Sequence, residues 1–363
     1  MNFDSTAGYA GRVRFFLPGP VWVREAVRQA MAREAIGHRG KAFADLYGRI
    51  IPRLAQVFRT EGFVFTATSA ATGLWEAALA NLSPERVLAI VSGAFSERWA
   101  ACARDLGLAV DVLEAPWATP VDPADVRRAL AKARYDAVTV VHSETSTGTL
   151  NDLAGIARAV REGSDAFVLA DVVTSFAGSP VEPDAWGLDF ALSGSQKALA
   201  LPPGLAVASA SERYRSRARE RSRAHYLRIS ETEAFAEKNQ TPYTPSTPHL
   251  FALDVQLEHI LAETVEGRWA RHRALRDRVA AWASARGYAF TAPEAARSWT
   301  VSCLKPPAGV SAEALVAKAK ERGFTIGGGY GKWRPSTFRI GHMGDVDLAS
   351  LENLLGTLDE VAA

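Results

Sequence analysis

Lysine is scarce in this 363-residue chain: of 42 basic residues eight are lysines, at positions 41, 132, 197, 238, 305, 318, 320 and 332. Seven lie among polar residues or near loops, whereas Lys197 follows an apolar run and sits in the segment GSQKALALPPG, 194–204. Burial disfavours an ammonium, lowers the lysine pKa and makes a neutral amine available for Schiff-base formation. A strand-end lysine whose stem merely reaches solvent has the same local sequence, so a chemical partner is needed. Asp171 closes the apolar run 166–170, at what should be the carboxyl end of a parallel strand, the edge where open α/β sheets bind ligands. An aspartate there is often a turn residue, yet a buried carboxylate needs a cation or a donor, and the protonated ring nitrogen of a cofactor would supply one. The stretch between Asp171 and Lys197 has room for a crossover helix and a further strand, which would bring the two to neighbouring strand ends.

The elements that must position this pair are readable in outline. Short apolar runs at 87–91, 109–113, 137–142, 166–172, 190–193 and 204–208 alternate with helix-length spacers and lack inside/outside alternation. That pattern predicts a parallel sheet buried on both faces, hence an α/β fold. Segments 124–132 and 153–161 read as helices, the first with Pro123 where an opening turn tolerates it. A proline-rich stretch, 238–249, reads as a boundary loop. Beyond it a long helical region, 250–286, precedes short strands at 300–304 and 337–340, a helix at 312–322, and a closing helix capped by Asp347 whose Leu348, Leu351, Leu355 and Leu358 share a face. The expected organisation is an N-terminal segment 1–20, a large domain 21–249 and a smaller α+β domain 250–363.

Composition removes several classes of function. With 48% hydrophobic residues, 23% charged residues and a net charge of +2, the chain reads as an ordinary globular protein with no overall field to draw nucleic acid or an anionic membrane. The arginines at 213, 215, 217, 219, 221, 223 and 228 advance by about 200° per step on a helix and form no single stripe, which predicts a solvated helix partnered by Glu212 and Glu220. No apolar run has the length of a membrane span, and residues 1–16 lack the pattern of a secretory signal. Cys102 and Cys303 are too isolated for a disulfide scaffold or zinc site, so a cytoplasmic location is expected and no metal is called for.

A small, hydroxyl-rich loop running into a helix start can offer backbone N–H groups to an anion such as a phosphate. Residues 66–73, TATSAATG, have that form ahead of an apolar helix, with Ala70, Ala71 and Thr72 at the turn; an ordinary capped helix would look similar.

Five motifs then share one order. Leu17-Pro18-Gly19-Pro20 and Ile36-Gly37-His38-Arg39 open the chain; His142-Ser143-Glu144-Thr145-Ser146-Thr147-Gly148 follows; Asp171 begins DVVTSFAG; Lys197 closes GSQK ahead of Pro202-Pro203-Gly204; and Phe338-Arg339-Ile340-Gly341-His342-Met343-Gly344 lies near the end. Nearly end to end the chain resembles the class V aminotransferases of pyridoxal phosphate (PLP) fold type I, specifically the serine:pyruvate, alanine:glyoxylate and serine:glyoxylate group. Its Ala70 and Ala71 stand where that family is richer in glycine, which puts the phosphate contacts in doubt.

The resemblance implies an aminotransferase that moves an amino group from alanine or serine to glyoxylate or pyruvate. It implies Lys197 as the Schiff-base lysine and proton carrier, and Asp171 on the pyridine nitrogen. Phe95, in a Gly93-Ala94-Phe95 segment, would stack on one ring face and Val173 pack on the other. Thr145, Gln196, Ala70, Ala71 and Thr72 would bind cofactor; Arg339, with Gly19, would bind the substrate carboxylate, a guanidinium giving a planar bidentate fork. A homodimer with a shared site is implied too, Tyr243 and Thr244 of the 240–245 loop reaching the other chain's phosphate. Other PLP chemistries on this fold, an aminoethylphosphonate transaminase or a lyase such as a desulfurase, and a degenerate non-catalytic member, are the alternatives.

Overall fold

The computed structural model describes residues 14–362. Its larger sheet has seven strands in the order Phe63–Ala67, Ala206–Ala210, Phe190–Gly194, Phe167–Asp171, Ala137–Val141, Arg86–Val91, Ala109–Glu114. From Phe190–Gly194 outward the neighbours pair in parallel. The α/β architecture expected from the apolar runs is present, with one correction: Ala206–Ala210 runs antiparallel to both its neighbours. The link from Gly194 to Ala206 holds no helix, and a strand reached without a crossover returns antiparallel.

Successive residues of the central strands feed two cores, which is why the strands read as unbroken apolar runs. Leu88, Ile90, Val138, Val140, Val168 and Ala170 pack with helices Lys41–Phe58, Pro123–Leu130, Leu153–Gly163 and Thr247–Glu263. Val87, Ala137, Val141 and Leu169 face the other way, toward helices Ala71–Leu82, Ala94–Asp105 and Glu212–Arg221.

A second sheet, ordered Phe15–Phe16, Thr325–Gly328, Phe338–Gly341, Val301–Lys305, Ala289–Phe290, carries a third core with Leu275, Val279 and Trp282 of helix Val265–Ala285 and with helices Ala312–Glu321 and Leu348–Ala362. Asp347 caps the closing helix through Ser350 N–H at 2.7 Å. Leu351, Leu354, Leu355 and Leu358 are buried, but Leu348 is 53% exposed and does not join the apolar face expected of it.

Chain order and packing disagree about where the second domain starts. A boundary at residue 250 cuts helix Thr247–Glu263, whose Leu250, Leu253, Leu257 and Ile260 lie in the core of the larger sheet. The expected single helical region is two helices separated by Thr264, at φ +64°, and the change of core occurs inside the second, between Trp269 and Leu275. Nor is the N-terminal segment separate. Phe15–Phe16 pairs in parallel with Thr325–Gly328; residues 1–13 of that segment lie outside the described residues.

The arginine-rich stretch forms helix Glu212–Arg221. Arg215 and Arg219 share Glu212 and Glu233, while Arg213 pairs with Asp189 and lies over Phe167. Glu233, from helix Ile229–Ala236, takes the place expected of Glu220. No helix among the described residues is long and apolar enough to cross a membrane.

Candidate active site

Strands Phe167–Asp171 and Phe190–Gly194 are parallel neighbours, Asp171 opposite Leu192, so Asp171 ends one strand and Lys197 follows the end of the next. The Lys197 loop is closed on itself by Ser195, whose N–H donates to Leu205 O at 2.9 Å and whose hydroxyl donates to Pro202 O at 2.6 Å. This is the local reason for a serine two residues ahead of the lysine. Lys197 is 8% exposed, and its Nζ donates to Pro18 O. Gly19 is required there: a Cβ on it would lie 2.6 Å from the Lys197 stem, at a φ of +99° that a side chain also disfavours. Burial, aided by the Arg339 cation, lowers the Lys197 pKa to about 8, against the opposing pull of Asp171 and Glu144.

Asp171 is held by neutral donors alone, Trp75 Nε1–H on Oδ2 at 2.7 Å and Val173 N–H on Oδ1 at 2.8 Å. Burial pushes its carboxyl up to about 6, and these two hydrogen bonds oppose the shift only partly.

Both residues line a cavity of about 330 Å³ that also has Gly19, Ala70, Ala71, Thr72, Phe95, Thr145, Val173 and Gln196 in its wall. Helix Ala71–Leu82 presents its N terminus there with no side-chain cap, leaving N–H groups for an anion. Where glycines were expected, Ala70 sits at φ −76°, ψ 159°, a conformation alanine adopts without strain. Cradle, carboxylate and low-pKa amine together fit a compact phosphorylated pyridine aldehyde in shape and charge.

Phe95 lies at the start of helix Ala94–Asp105, anchored by the fully buried Glu144, which accepts from Phe95 N–H at 3.3 Å, Ser96 N–H at 3.1 Å and Ser146 Oγ at 2.6 Å. Gly93 makes room, since a Cβ on it would lie 2.5 Å from the Glu144 side chain. Thr145 pairs its hydroxyl with Thr174, and its carbonyl accepts from Arg339 Nη1 at 3.3 Å. Arg339 Nε is spent on Gly328 O at 2.9 Å; Arg339 is not in the cavity wall and adjoins it through Thr145.

Tyr243 and Thr244 lie outside this cavity, lining a shallow neighbour with Phe65, Thr68 and Tyr226. Their loop is held by Arg39, which donates to Thr241 O and Pro242 O and covers Phe235; this is what the arginine of the opening motif does within the chain.

Three residues of the site were missed by sequence reasoning. Trp75 contacts Asp171, Tyr330 lies between Phe95 and Arg339, and Arg98 places its guanidinium over both Phe95 and Trp75. For Trp75 a signal existed: a tryptophan one turn inside a helix that opens on an anion cradle needs a partner for its N–H. Arg268 was also missed; fully buried, it donates to Ala198 O at 2.7 Å, beside Lys197, and to Asp345 at 3.0 Å.

The family model described as aminotransferase class-V matches residues 28–330. A serine–glyoxylate aminotransferase of Methylorubrum extorquens is 34% identical over 94% of this chain and 89% of its own length. An L-aspartate–glyoxylate aminotransferase of Paracoccus denitrificans is 34% identical over 96% and 90%. Among solved structures, the alanine–glyoxylate aminotransferase of Nostoc sp. superposes with a TM-score of 0.91, at 28% identity, over 98% of this chain and 97% of that one.

Proposed function

For a chain that belongs to the class V aminotransferase family, with the fold type I architecture of its structural neighbours, we propose a PLP-dependent transfer of an amino group from a small amino acid, alanine or serine, to glyoxylate or pyruvate. The observation that carries this is the meeting of Lys197 and Asp171 in one cavity whose floor is an uncapped helix start. When bound, PLP supplies the electron sink that stabilises negative charge at the substrate Cα.

The chain's own residues do the rest. Lys197 would hold the cofactor, and its free Nζ would take the substrate Cα proton; a pKa near 8 keeps that amine partly neutral around neutral pH. Asp171 keeps the ring nitrogen protonated, and the cation it meets restores the carboxylate to its ionised form. N–H groups at Ala71 and Thr72, with Gln196, would hold the phosphate, and Phe95, Val173 and Thr145 would hold the ring. Arg339 holds the α-carboxylate of donor and acceptor above Gly19. Tyr243 and Thr244 of a second copy complete the phosphate site in a homodimer, and two unpaired thiols suit a cytoplasmic location.

A desulfurase would need a thiolate on an accessible loop. Cys102 instead lies within helix Ala94–Asp105, its thiol pushed up to about 11 by burial and by Glu76 and Asp105, and Cys303 is buried in strand Val301–Lys305 with its thiol also raised. The test is a panel of alanine, serine and aspartate as donors against glyoxylate and pyruvate, on protein loaded with PLP. Turnover of alanine or serine is expected; a protein that binds PLP and transaminates none of these pairs would overturn the reading.

A further inference from the structure

We propose that Trp75 is a positioning residue for the reaction: its indole N–H fixes the plane and favours the ionised form of Asp171, and its helix ties that carboxylate to the phosphate cradle. The inference rests on the PLP reading for its purpose, but its geometry is independent of it.

Trp75 is 3% exposed and donates to Asp171 Oδ2 at 2.7 Å. Val173 N–H takes the other oxygen, so each has a single donor and a lone pair remaining for an incoming cation. Two donors on two oxygens also fix rotation about the carboxylate bond. The indole cannot drift: it stacks on the fully buried Trp99 at 5.8 Å and 15°, and the guanidinium of Arg98, the residue before Trp99 on helix Ala94–Asp105, lies 5.7 Å from its ring centre.

Trp75 lies one turn beyond Ala71 and Thr72 on helix Ala71–Leu82. One rigid element therefore sets the distance between the anion cradle and the ring-nitrogen partner, which any phosphorylated pyridine spanning the two must match. Trp99 and Phe95 share the next helix, so the group that would cover the ring face is locked to the same unit.

The electrostatic role follows from what surrounds Asp171. Burial and Glu144 favour its neutral form; Val173 N–H, Trp75 N–H and Lys197 favour the ionised one. Removing the indole N–H removes one of only three groups on the ionised side.

The test uses the full chain with Trp75→Phe, which keeps an aromatic ring without the N–H, and Trp75→His, which restores a ring donor. In the cofactor-free protein, carbon-13 NMR of labelled aspartate should show the Asp171 carboxyl titrating higher in Trp75→Phe and moving back in Trp75→His. In the loaded protein, Trp75→Phe should weaken PLP binding by about tenfold or more, as for a lost hydrogen bond to a charged group, and lower kcat while KM for the amino donor stays put. An unshifted Asp171 titration with unchanged PLP affinity would overturn the proposal and leave Trp75 a core filler. Should Trp75→Phe not fold, the unmutated protein decides: the Trp75 indole proton resonance must follow the Asp171 titration and lose that dependence in Asp171→Asn, and a resonance indifferent to pH would overturn the proposal equally. A wild-type chain that never binds PLP would sink the cofactor reading while leaving the titration result standing.

Discussion

Two buried aspartates, Asp171 and Asp345, have opposite fates. Asp345, 2% exposed at its side chain, meets Arg24 at 2.8 Å and Arg268 at 3.0 Å, and Gln256 Nε2–H donates to it as well. Desolvation pushes its carboxyl up, but the two guanidiniums outweigh it and hold it far below the ordinary range. Asp171 has the same burial but only neutral donors in contact, and burial wins. A carboxylate whose charge is already balanced ties elements together; here Arg268 joins Asp345 to Glu263 and to the Lys197 loop. One left short of a cation is prepared to receive it. That contrast separates structural from reactive charge more sharply than burial alone.

The contrast can be broken by mutation. Lys197→Ala should have the largest effect, eliminating turnover and the borohydride-reducible covalent adduct while the fold persists; mass spectrometry that finds the adduct on another lysine would remove Lys197 from its role. Asp171→Asn should leave the protein folded and lower kcat by roughly a thousandfold, the scale of a lost preorganised charge. Asp345→Asn should do the reverse, costing about 2 to 3 kcal/mol of stability by taking from the buried Arg268 one of its two carboxylates while kcat per folded molecule changes little. Denaturation and steady-state kinetics on that pair measure both axes, and similar profiles for the two variants would erase the distinction.

Arg339 sharpens the same comparison at the substrate end. Arg339→Ala should cost about 2 to 5 kcal/mol in kcat/KM for amino donor and oxo acid alike, with PLP retained, and Arg339→Lys should recover part of it. Loss confined to one half-reaction, seen by single-turnover kinetics, would place the carboxylate elsewhere.

The smallest effect is in pH. His142, His272 and His342 are buried and their pKa values lowered by burial, to about 3 for His142 and His342. The unfolded chain binds protons that these rings refuse, so their contribution to stability is complete above about pH 6.5 and is lost as pH falls toward 3. Asp171 acts oppositely: folded, it binds a proton more readily than the unfolded chain between its ordinary pKa and about 6, which offsets part of the loss. Calorimetry from pH 4 to 8 should show Tm falling on the acid side, and falling more steeply in Asp171→Asn; parallel curves would mean that Asp171 titrates normally.

Much of this contrast was legible in the sequence, and the unreadable part has a common cause. Lys197 and Asp171 stand out because each is a chargeable residue at the end of an apolar run, and both strand ends fall where the runs predict. Asp345 carries no such mark; its partners Arg24 and Arg268 are remote in sequence, and only tertiary packing brings them together. Tyr330 was missed for the same reason, whereas Trp75 carried a local signal in its place one turn inside the helix that opens on the cavity. The second domain was misplaced because helix Thr247–Glu263 is helical by composition like its successor, and nothing local reports which core a helix joins. The reversal of strand Ala206–Ala210 hides likewise, direction being set by the connection and not by strand composition.

Strand Phe15–Phe16 has a temporal consequence. Its partner Thr325–Gly328 is remote along the chain, a pairing of very high sequence separation that closes late. Between that strand and the first helix runs the stretch whose Pro18 carbonyl receives Lys197. The backbone that covers the reactive amine is therefore among the last parts of the molecule to settle. Pulse-labelled hydrogen exchange during refolding should protect the central strands before Thr325 and Ile326, leaving the cavity open from above while the remainder of the larger sheet is already in place.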